Sequence, residues 1–69
     1  MIETIYIQAP SKKAFNQALA DGDSPAARVA RRKIEGYADG TVVKFWSKRD
    51  PWGTPIAKSY GNIKAGRVV

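Results

Sequence analysis

The chain has 69 residues, with 12 Lys and Arg against 6 Asp and Glu, a formal net charge of +6, and neither cysteine nor histidine. That length holds one small core rather than two, and the composition removes disulfide staples, the usual zinc and haem ligands, and the commonest catalytic bases and nucleophiles. What remains favours binding an anionic partner over catalysis, and no cofactor is expected.

Residues Ile2 to Gln8 alternate and contain the β-favouring Ile5, Tyr6 and Ile7. They predict a first strand with Ile5 and Ile7 on one face and Thr4 and Tyr6 on the other. The start of the chain lacks the cationic region and continuous apolar stretch of a secretory leader, and no segment is long enough to span a bilayer, so a cytoplasmic setting is expected. Ala9-Pro10-Ser11 ends the strand. Ser11 can cap a helix over Lys12 to Ala20, with Ala14, Phe15, Ala18 and Leu19 forming its apolar stripe. Asp21-Gly22 stops it, because glycine tolerates a left-handed cap.

Ser24-Pro25 has the pattern of a second helix start, since the hydroxyl caps and proline at the first helical position gives up an amide that had no partner. A helix from Ala26 to Glu35 puts Arg28, Arg31 and Arg32 on one face with Lys33 beside it, and turns Ala26, Val29, Ala30 and Ile34 toward the core. The apolar side is thin, and a strand or irregular loop over 28–37 is the rival reading.

After Asp39-Gly40 the chain reads as a hairpin. Thr41 to Lys48 form one strand and Thr54 to Tyr60 return, with Arg49 leading into Asp50-Pro51-Trp52-Gly53 as a type I turn: Asp first, proline second, glycine fourth. Pro55 donates no amide, so the returning strand lies at an edge or begins after that residue. Val68-Val69 either add a short closing strand or stay disordered. The whole predicts a small single-domain α+β fold, with a three- or four-stranded, mostly antiparallel sheet and one or two helices packed on one face.

Alternation places Val42, Lys44, Trp46 and Lys48 on one side of the first hairpin strand and Val43, Phe45 and Ser47 on the other. A register that sets Trp46 opposite Ile56 brings Lys44 opposite Lys58 and Val42 opposite Tyr60. Two opposed lysines disfavour a pair unless solvent, salt or an anionic ligand screens them. The wet face then presents Tyr6, Lys44, Trp46, Lys58 and Tyr60, rings among cations, which suits stacked bases and phosphates. The plainer alternative makes Trp46 and Tyr60 a cross-strand contact in a small core and the lysines solvated edges.

Trp52, beside Arg49 at the turn tip, is either an exposed anchor or a ring folded back onto Pro51 or Pro55. The run Arg28 to Lys33 suits a phosphate backbone and equally suits a solvated face. Lys12-Lys13 oppose the dipole at a helix start, where an anion would relieve them and solvation does so equally well. No paired carboxylates and no phosphate-cradling glycine pattern occur, so no enzyme is expected. The leading expectation is a non-enzymatic nucleic-acid-binding module, with single strands favoured. The alternative is a small basic regulator that docks on an acidic protein surface of a larger machine such as a nucleic-acid-processing enzyme. Self-association through an edge strand is a further expectation, and a membrane-bound helix a poor one.

Overall fold

A computed structural model describes residues 2–69; Met1, part of the segment read above as lacking a leader, lies outside them. The elements are β1 (Thr4–Gln8), α1 (Lys12–Leu19), α2 (Pro25–Ile34), β2 (Val42–Arg49), β3 (Pro55–Lys64) and β4 (Arg67–Val68). The strands form one sheet in the order β1-β2-β3-β4, with β1 parallel to β2 and the other pairings antiparallel. Parallel neighbours need a crossover, and the two helices supply it. The fold is therefore the expected small α+β domain.

Both helices begin where their caps put them. The Ser11 hydroxyl accepts from the Ala14 amide at 3.1 Å, and the Ser24 hydroxyl from the Ala27 amide at 3.1 Å, with Pro25 in the first turn. This settles 25–34 as helix and removes the strand or loop alternative. The inward face of α2 differs from the expectation: Ala27, Ala30 and Ile34 are buried, whereas Ala26 and Val29 are exposed. The buried stripe runs i, i+3, i+7, and its two alanines let the helix lie close to its neighbours; a face carrying Val29 would hold the backbone further off.

The core joins Phe15 of α1 and Ala30 and Ile34 of α2 to Ile7, Val43, Phe45, Ile63 and Val68 of the sheet. Phe45 is fully buried, and its ring lies 5.3 Å from that of Phe15 at a tilt of 44°. Helices thus cover one face only, and the other is left to solvent.

The hairpin register is two residues away from the expected one. Lys44 lies opposite Tyr60 and Val42 opposite Asn62, while Trp46, between two irregularities, is shifted by one residue only and lies opposite Ala57. The cause is the connection. Gly53, at φ 85°, donates to the Asp50 carbonyl at 2.9 Å as a β-turn requires. A four-residue turn pairs Asp50 with Gly53, already one residue beyond the expected register, and Gly53 adds one residue more to the loop, so that the Asp50 amide closes onto the Thr54 carbonyl at 2.9 Å and Arg49 meets Pro55. Asp50 further accepts from the amides of Trp52 and Thr54 at 2.9 and 2.8 Å. A two-residue slip keeps every side chain on its face but changes its partners, so Lys44 and Lys58 are not opposed and Trp46 does not pair with Tyr60. Pro55 is the first residue of β3, where its missing amide breaks no ladder.

The tail is ordered into β4. Ala65 and Gly66, both at positive φ (51° and 78°), turn the chain back so that Ile63 pairs with Val68. Asn16 of α1 then closes the outer edge of β4: its amide nitrogen donates to the Val68 carbonyl at 2.6 Å and its oxygen accepts from the Val68 amide at 3.2 Å.

Candidate nucleic-acid interface

Three strands build the open face from equivalent positions. The register sets Tyr6 beside Lys44 and Lys44 beside Tyr60, so β1, β2 and β3 each contribute one side chain to a row across the sheet. The Lys44 ammonium lies 5.8 Å from the centroid of each tyrosine ring. That is near the outer limit of cation–π attraction, which at exposed sites contributes about 0.5–1 kcal/mol. The lysine is centred by the two rings without being sequestered by them. The rings are more than half exposed, and two strand spacings separate their strands by roughly 10 Å.

Trp46, half-buried, does not present a bare ring. The Arg49 guanidinium stacks over it with its carbon 4.5 Å from the ring centroid, and the same group donates to the Gly53 carbonyl at 2.7 Å. The arginine is thereby fixed as a flat, charged platform, and guanidinium planes as well as rings accept stacked bases. Lys48 is exposed opposite Ile56, and Lys58 is exposed at the irregularity facing Trp46. Among the described residues the one ion pair is Arg31 with Asp23, at 3.7 Å, so Lys44, Lys48, Arg49 and Lys58 have no carboxylate partner there. Asp50, the acid nearest in sequence, is occupied as the organiser of the turn.

Trp52 stands 86% exposed at the hairpin tip and does not fold back onto either proline. Arg28, Arg31 and Arg32 are not brought to the open face. They line a cleft of about 500 Å³ with Tyr37, Asp39 and Ile63, between α2 and the β3–β4 turn. Arg31 also donates to the Gly22 carbonyl at 3.0 Å, and Glu35 and Asp39 share the cleft. Arg31, Arg32 and Lys33 occupy the last turn of α2, where cations complement the helix dipole. The cluster is thus largely explained by the helix itself.

Two exposed residues border these surfaces: Ile56, expected opposite Trp46 but found opposite Lys48, and Tyr37 in the arginine cleft, which the sequence did not single out. Ile56 follows the alternation of β3 and was legible in it; Tyr37 lies in an irregular segment with no periodicity to mark it. Among the described residues no three His, Cys, Asp or Glu side chains converge as metal ligands, and no helix is long and apolar enough to cross a membrane. The chain matches no protein-family model, no curated protein and no solved structure.

Proposed function

We propose that the protein is a non-enzymatic, cytoplasmic nucleic-acid-binding module that takes single strands on its open sheet face. The observation that carries this reading is the Tyr6–Lys44–Tyr60 row: two exposed rings flanking an ammonium with no carboxylate partner among the described residues. Bases stack on Tyr6 and Tyr60, the Lys44 ammonium neutralises the phosphate that passes between them, and the Trp46–Arg49 stack extends the platform toward the hairpin tip. A duplex hides its base faces, so the rings give an advantage to unpaired strands. The arginines of α2 act through the field of the whole molecule rather than by contact with this face.

The test is a tryptophan-fluorescence titration with single-stranded DNA, single-stranded RNA and duplex DNA across a salt series. Single strands should bind more tightly than duplex. Tyr60→Ala should weaken single-strand binding by about 1–3 kcal/mol. Lys44→Gln should lower the magnitude of the slope of log affinity against log salt by about 0.7. Absence of binding at low salt, or equal affinity of wild type and Tyr60→Ala, overturns the reading.

One observation favours a second reading, a regulator that docks on an acidic protein surface. Trp52 is held out on a turn pinned by Asp50, as an interface anchor would be. Trp52→Ala should abolish a stoichiometric protein complex in that case and leave nucleic-acid affinity unchanged.

A further inference from the structure

The sheet has three stretches of edge, and they are treated differently. The outer edge of β4 is closed by Asn16. Pro55 to Tyr60, the part of β3 that β4 does not reach, carries a proline, the exposed Lys58 and a register irregularity, the devices that discourage strand addition. β1 has none of these. Its five residues, Thr4–Gln8, are uncharged in a chain of net charge +6, contain no proline and pair without irregularity. The Val42 amide donates to the Glu3 carbonyl and the Ala9 amide to the Trp46 carbonyl, so the odd-numbered residues of this parallel ladder face β2. The amides and carbonyls of Thr4, Tyr6 and Gln8 therefore point outward.

The surroundings of this edge are apolar. Two clefts meet along it, sharing Gln8 and Lys33: one of about 410 Å³ that includes Val29, and one of about 230 Å³ that includes Tyr37 and Trp46. Ile2, Tyr6, Val29 and Tyr37 are all exposed around it.

We infer that β1 is a self-association edge, and that a second copy of this chain pairs with it antiparallel about a two-fold axis at Tyr6. In that register Thr4 meets Gln8 of the other copy, about six main-chain hydrogen bonds form, and Tyr6 lies opposite its own equivalent, a favourable aromatic pair. Charge selects the same arrangement. Glu3 falls opposite Ala9 of the second copy, whose Lys33 flanks the cleft that Ala9 lines, and neither Glu3 nor Lys33 has an ion-pair partner among the described residues. Five-residue strands alone fall short of the roughly 800 Å² per partner of a stable interface. Val29, Tyr37 and Ile2 extend the contact on either side of the strand.

The two-fold axis is perpendicular to the sheet, so both open faces point the same way. The two rows join as Tyr60–Lys44–Tyr6 followed by Tyr6–Lys44–Tyr60, about 24 Å across six strands. This inference extends the sheet-face reading, but its test needs no nucleic acid, so either can fail alone.

Sedimentation equilibrium of the full chain should show a monomer–dimer equilibrium between about 1 μM and 0.5 mM. Glu3→Lys and Lys33→Glu should each weaken the dimer by about 2- to 30-fold, the span of two symmetric surface ion pairs, and the double exchange should restore it. Thr4→Pro, at a residue whose amide points outward and has no partner among the described residues, should abolish the dimer while circular dichroism stays that of the wild type. A chain monomeric throughout that range overturns the proposal, as does a dimer unaffected by the single exchanges or not restored by the double one.

Discussion

Asn16→Ala tests how the C-terminal strand is held. The substitution removes both bonds to Val68, whose residue is 1% exposed. Two ordinary hydrogen bonds contribute about 1 kcal/mol each, and a stranded amide and carbonyl add to the loss. The better helix propensity of alanine returns about 0.6 kcal/mol within α1. The net expectation is a loss of about 2 kcal/mol, a large share of the stability that a domain of this size holds. In thermal unfolding followed by circular dichroism, that loss lowers Tm by roughly 8–16 °C. Gln17→Ala, at the exposed neighbouring position, is the control and should change Tm little. Hydrogen exchange should also show the β4 amides opening ahead of those of β2. If Asn16→Ala melts within about 2 °C of the Gln17→Ala control, the clamp contributes nothing and the account of β4 is wrong.

Three further substitutions probe the core and the turns. Gly61→Ala should cost about 1–3 kcal/mol by overpacking, because a Cβ there would lie 2.5 Å from Val68 Cγ1 and 2.8 Å from the Val69 carbonyl oxygen; urea denaturation with an unchanged midpoint would contradict it. Ala65→Asn, at φ 51°, should stabilise the chain by about 1 kcal/mol, since the β3–β4 turn then has the Asn-Gly sequence suited to two positive φ values; a lower Tm would refute the turn assignment. Phe45→Ala removes the centre of the core and should cost about 3–5 kcal/mol, enough to unfold the domain at room temperature, so a cooperative melt near that of the wild type would show that the core lies elsewhere.

Local chemistry was legible wherever one residue acts on its own neighbours. Ser11, Ser24-Pro25 and Asp50-Pro51-Trp52-Gly53 set two helix starts and a turn within four residues of chain, and strand alternation put Phe45 inward and Tyr6, Lys44 and Tyr60 outward before any partner was known. The inward face of α2 was not legible in the same way. Val29 outweighs Ala27 in hydrophobicity, yet helix packing selected the smaller side chain for closeness of approach.

Composition and local pattern therefore determined the class of the domain, its caps, its turn and the polarity of each strand, because these depend on contacts short in sequence. Only the tertiary structure decided that Lys44 stands between two tyrosines rather than against Lys58. One extra residue in a loop sets a register, and alternation is blind to a slip of two. Asn16 reaches across 52 positions to close one edge of the sheet while β1 leaves the opposite edge open, and no periodicity within either segment records what lies beside it in space.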